Sequence, residues 1–123
     1  MLGYRTGYNA ATLFLAAHMG AYAGNNINSK YATTSLGSYS LYNFVGDYFD
    51  NTYNTAVGSY SLYTLTGTNY SNSAIGYKSG YALKVGLQNT FIGSLAGSSL
   101  INGSNNTFIG YNTNYSATTA NNI

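Results

Sequence analysis

At 123 residues the chain is one domain's worth of sequence. Only 5% of it is charged, against roughly a quarter in ordinary soluble domains, and it holds 15 Tyr and 15 Gly but no Cys, Pro or Trp. The net charge of +2, from Arg5, Lys30, Lys78 and Lys84 against Asp47 and Asp50, is too sparse for a phosphate-binding stripe and argues against nucleic acid as a partner.

Little charge combined with many aromatics is unlike a disordered chain. The dominance of Asn, Thr, Ser, Tyr and Gly suits β-structure with tight turns. Neutral surfaces of this kind are at home outside cells or on virus particles. Without cysteine the fold uses no disulfides.

In chain order, one phrase keeps returning. Asn54-Thr55-Ala56-Val57-Gly58 is followed by Asn72-Ser73-Ala74-Ile75-Gly76, Asn89-Thr90-Phe91-Ile92-Gly93 and Asn106-Thr107-Phe108-Ile109-Gly110. Looser copies end at Gly3, Gly20 and Gly37, and the seven glycines are spaced by 17, 17, 21, 18, 17 and 17 residues. A near-constant period of this size predicts a single all-β domain over 1–123, a parallel β-solenoid of about seven 17-residue coils.

Residues 1–24 allow two readings. The run 10–17 and Ala21-Tyr22-Ala23 before Gly24 imitate a secretory signal with its cleavage site. Gly3 and Gly20 are in phase with the repeat, however, and Gly7 and Gly24 each follow them by four residues, which favours atypical N-terminal repeats. The run 10–17 is too short to span a bilayer, and a short capping helix is open there.

The coil at Gly37 continues Ser38-Tyr39-Ser40-Leu41-Tyr42, and the coil at Gly58 repeats it as Ser59-Tyr60-Ser61-Leu62-Tyr63. The longest interval separates them. Insertions in solenoids leave the stacked body, so residues 43–53 are expected to project as a loop, with Asp47, Tyr48 and Asp50 as candidate recognition residues. Residues 116–123 read as a polar tail.

Numbering each anchor glycine zero, position −1 is always a large aliphatic residue or Met: Leu2, Met19, Leu36, Val57, Ile75, Ile92 and Ile109. This column is expected to be the core. Strand alternation then puts the Thr and Ser of position −3 on the same face and position −2 on the other. Ala56, Ala74, Phe91 and Phe108 at −2 would accordingly meet another chain, as a subunit interface. Gly37, Gly58, Gly76, Gly93 and Gly110 signal a positive φ or a close backbone approach. Position +3 is small throughout, +5 is Tyr in five of seven copies, and Asn54, Asn72, Asn89 and Asn106 at −4 suggest an amide ladder. A coil with few inward side chains has a thin core, for which oligomerisation is the simplest remedy.

These columns resemble the head repeats of trimeric autotransporter adhesins of the YadA type, and similar repeats in fibre proteins of phages and other viruses. The likeness is strong from Asn54 to Tyr115 and weak before Thr33. It implies a left-handed parallel β-roll, three chains around one axis and an extracellular adhesin or fibre role. The adhesin repeat is shorter, so these coils carry extra turn residues.

Catalytic chemistry finds little support. His18 is the single histidine, there is no Glu and no Cys nucleophile, and no Ser-His-Asp set can be assembled. Asp47 and Asp50 could hold a hard cation with Asn51, but lack a glycine-bearing calcium loop, and a glycosidase pair would need a groove. The expectation is a protein that is not an enzyme, with no cofactor and no metal. Three functional readings stay open: a trimeric fibre or adhesin module with a cell-surface glycan or protein receptor, a subunit stacking end to end into an extracellular filament, and an ice- or glycan-binding solenoid. The Tyr rows could stack on sugars, or pack against neighbouring coils, which is favoured. The Thr of position −3, sharing the expected core face, weaken the ice-binding reading.

Overall fold

The computed structural model describes residues 2–8, 16–27, 32–44, 52–66 and 70–114. Six short strands lie parallel, in chain order, in one sheet: β1 (Ala17–Met19), β2 (Thr34–Leu36), β3 (Thr55–Val57), β4 (Ser73–Ile75), β5 (Thr90–Ile92) and β6 (Thr107–Ile109). Each is one rung of a β-solenoid, and a bridge from Leu2 to Met19 adds a further rung. The register is that of the repeat. Thr55 faces Ser73, which faces Thr90, which faces Thr107. Leu36 still faces Val57 across the 21-residue interval, so the longer interval leaves the register unshifted. Asp47, Tyr48 and Asp50 lie outside the described residues, as do most of the run 10–17 and the tail.

The anchor glycine is demanded twice over. Gly58 has φ +124, a region L side chains rarely adopt. A Cβ there would also lie 2.5 Å from the carbonyl oxygen of Gly76 on the next rung. Stacked bends thus approach backbone to backbone, and each rung needs its own glycine. Three residues on, Ser40, Ser61 and Ser79 donate their hydroxyls to the carbonyls of Gly37, Gly58 and Gly76 at 2.8, 2.9 and 3.0 Å. These serines are buried, which explains why position +3 stays small.

The core is built from three inward columns. Position +7 supplies Ile27, Phe44, Leu65, Leu83 and Leu100, position +4 supplies Leu41 and Leu62, and position −2 supplies Ala56, Ala74 and Phe91, all fully buried. Phe108 packs half-buried against this cluster. Volumes at −2 and +4 compensate. Small Ser35 and Ala56 accompany Leu41 and Leu62, whereas His18 and Phe91 accompany Gly24 and Gly97. Gly80 serves the same purpose for the rung below, because a Cβ on it would lie 2.9 Å from the Phe91 ring.

The strand faces are therefore the reverse of the sequence expectation. Ala56, Ala74, Phe91 and Phe108 point into the coil and are not a subunit interface. Val57, Ile75, Ile92 and Ile109 point outward; Ile75 is 46% exposed and Ile109 64%. The reason is room. Each coil is narrow, and the side chains of +4 and +7 already fill much of its interior, so the inward strand position is Ser35 or Ala56 where +4 is Leu and admits the rings of His18 and Phe91 only where +4 is Gly.

Position −4 lies on the inward side with −2. Asn54, Asn72, Asn89 and Asn106 are fully buried and form the amide ladder that their spacing suggested. Nδ2 of Asn72, Asn89 and Asn106 donates to Oδ1 of the preceding Asn at 3.1, 2.9 and 2.9 Å. The backbone N–H of the same three residues donates to the same oxygens at 3.0, 3.1 and 3.0 Å. Asn72 and Asn89 also reach the carbonyls of Gly86 and Gly103, tying the strand to the returning turn.

Candidate functional site

Two surfaces stand out, both made by repetition rather than by convergence on a point. The first is the outer face of the sheet. Met19, Leu36, Val57, Ile75, Ile92 and Ile109 form one column, and Ala17, Thr34, Thr55, Ser73, Thr90 and Thr107 the other. The residues of both columns are half-buried or exposed, and none is charged. Rungs about 4.8 Å apart make this face a two-column array of methyl and hydroxyl groups.

The second surface is a double file of tyrosines beside the bends. Tyr22, Tyr39 and Tyr60, at position +2, stack with ring centroids 4.8 and 5.0 Å apart and interplanar angles of 15° and 5°. Tyr42, Tyr63 and Tyr81, at +5, stack at 5.3 Å with angles of 9° and 4°. Tilted contacts join the files, Tyr39 to Tyr42 at 5.4 Å and Tyr60 to Tyr63 at 5.5 Å. The +5 file was legible in the sequence. The +2 file was missed, although Tyr22, Tyr39 and Tyr60 keep the glycine spacing and would have been found by the same column count.

These rings fill one another's faces. Sugar stacking needs a free ring face, so the files match the packing reading of the tyrosines instead. Desolvation, followed by the neighbouring phenols, pushes the hydroxyls of Tyr39 and Tyr63 above the ordinary tyrosine pKa. Cations close the array. Lys78 Nζ lies 5.3 Å from the Tyr81 centroid and 5.9 Å from that of Tyr60, while Arg5 sits 4.9 Å over Tyr8.

His18 is buried at 3% exposure on the −2 column, sharing a 2.5 Å hydrogen bond between its Nδ1 and Ser35 Oγ. Its Nε2 has no hydrogen-bond partner. Desolvation and, secondarily, the positive N-terminus lower its pKa to about 4. A ring sealed in the core this way is packing. An open groove of about 510 Å³ is lined by Asn26, Asn43, Thr64, Thr66 and Lys84. Among the described residues that line it, Lys84 is the one titratable group. Among the described residues no three His, Cys, Asp or Glu side chains converge, and no helix is long and apolar enough to cross a membrane.

No protein-family model, curated protein or solved structure matches the chain.

Proposed function

We propose that the chain is a structural module of an extracellular fibre or adhesin, three copies packing side by side through the outer face of the sheet. The observation that carries this reading is the uncharged outer face, with Thr or Ser beside Leu, Val or Ile on five successive rungs. A partner that engages each rung equally must carry the same axial period, and a parallel second copy does so by construction. Exposed Ile75, Ile92 and Ile109 supply the apolar area such an interface buries. Attachment to a cell-surface glycan or protein receptor then falls to what varies between coils, above all the segment holding Asp47, Tyr48 and Asp50.

Sedimentation and light scattering across concentration test this. A fixed trimer that dissociates on Ile75→Asp plus Ile92→Asp, with the β-rich circular dichroism retained, is the expected result. A wild-type chain that stays monomeric at high concentration overturns it, and open-ended growth selects the filament instead.

One observation favours a second reading of the same face. Thr34, Thr55 and Thr90, half-buried, and Thr107, exposed, stand on the outward side with the aliphatic column, so the face they share is not the core face that argued against ice binding. A flat, regular hydroxyl–methyl array on a monomer would order water. Thermal hysteresis abolished by Thr90→Lys would establish that reading in place of the trimer.

A further inference from the structure

The tyrosine double file has a chemistry that neither the fibre nor the ice-binding reading uses. Six rings, Tyr22, Tyr39, Tyr60, Tyr42, Tyr63 and Tyr81, lie within 4.8 to 5.5 Å of their nearest neighbours along and between the files. All six are half-buried, so each keeps an edge open to solvent. Tyr22, Tyr39 and Tyr60 hold this arrangement with left-handed backbones, φ 58, 59 and 59. That conformation is unfavourable for a bulky residue and persists where the surroundings over-determine it. The chain has no Cys and no Trp. One-electron oxidation therefore has tyrosine as its main electron donor, and six of the 15 tyrosines form one contiguous array.

We propose that this array is an oxidative cross-linking site, in which a haem peroxidase with hydrogen peroxide, or an equivalent one-electron oxidant, joins neighbouring rings as dityrosine. Each of two phenols gives up one electron and its hydroxyl proton, leaving two phenoxyl radicals. A carbon–carbon bond forms between ring positions ortho to the oxygens. The hydrogens on those two carbons then return to the oxygens as the rings regain aromaticity. The pair loses two hydrogen atoms net, and one peroxide becomes two waters. Contacts between the files suit the bond best, because Tyr39 meets Tyr42 at 51° and Tyr60 meets Tyr63 at 54°, bringing a ring edge toward its partner. The face-to-face pairs give a radical somewhere to migrate before it couples. Those two links would close a bend within one coil; the tilted contacts from coil to coil, Tyr22 to Tyr42 at 6.2 Å and Tyr39 to Tyr63 and Tyr60 to Tyr81 at 6.5 Å, would staple one coil to the next.

The experiment is peroxidase treatment of the folded full chain at low concentration, followed by dityrosine fluorescence and peptide mass mapping. Expected is an intrachain product, lighter by two hydrogens per link, with its links within the six-ring array and most of the yield gone in Tyr39→Phe plus Tyr63→Phe. Phenylalanine keeps the stack but cannot form the phenoxyl. The pair Tyr53→Phe plus Tyr111→Phe removes exposed rings outside the files and should leave the yield unchanged. Wild-type protein oxidised in urea supplies a comparison that needs no variant to fold, and should lose the intrachain product. Links that form chiefly between chains, that map to Tyr53, Tyr77 or Tyr111, or that form as readily in urea overturn the proposal.

Discussion

The ring of Phe91 occupies the space that a side chain on Gly97 would need: a Cβ built on that glycine runs into the ring edge. Two coils earlier the same positions hold Ala56 and Leu62, both fully buried. Leu62 has φ 47 and Gly97 φ 60, so the fold carries a leucine at this strained backbone conformation in one coil, and at Gly97 the ring adds a steric block. The two positions share one volume.

Exchange of that volume is the first prediction. Phe91→Ala should cost about 3–5 kcal/mol through the cavity it leaves, and Gly97→Leu about 1–3 kcal/mol through overpacking. The double variant reproduces the pairing of Ala56 with Leu62 and should be more stable than the sum of the single losses implies, by about 1 kcal/mol or more in a double-mutant cycle. Strict additivity in urea titrations would show that the positions do not share space.

The amide ladder offers a second test. Replacing Asn89 with Leu removes the acceptor of Asn106 and the donor to Asn72 and Gly103, all from a buried column. Each buried group left unpaired costs about 1–3 kcal/mol. A loss of several kcal/mol is expected, together with faster amide hydrogen exchange at Asn106, whose N–H bonds the missing oxygen. Unchanged exchange at Asn106 would mean that the ladder contributes no protection.

His18 makes stability depend on pH in a definite direction. Burial holds its pKa near 4, below the ordinary 6.5, so between those values the unfolded chain binds the proton and the folded chain does not. Stability from this group is therefore fully present above about pH 6.5, falls as the pH drops toward 4 and levels off below it, with a total on the order of 3 kcal/mol. His18→Gln should flatten that slope in chemical denaturation followed across the window. A wild-type curve that rises on acidification through it would contradict the burial.

Opposite faces of β4 should respond oppositely. Ile75→Ser lies on the outer face and should keep the circular dichroism of the fold while weakening self-association. Ala74→Asp puts a charge into a fully buried position and should abolish the folded signal at every concentration. The reverse outcome would restore the aliphatic column to the core.

The period, the all-β class, the parallel stack, the glycine bends and the Asn ladder were all legible in the residues themselves. A bend where backbone meets backbone admits only glycine, and a buried amide column repeats at one spacing, so the chemistry is written into residue identity. Which face of each strand points inward was not legible from the strand alone. Alternation relates −1, −2 and −3 to one another but assigns no direction. Val57, Ile75 and Ile92 look more like core than Ala56 and Ala74 by size. The direction was decided by Leu41, Leu62 and the Leu, Ile and Phe of position +7, which share the coil interior and leave the strand a small residue beside Leu41 and Leu62, with a ring fitting beside Gly24 and Gly97. The tyrosine files divide the same way. Their spacing is a property of the sequence, but that the rings stack on each other depends on how closely successive bends approach, which tertiary structure alone determines.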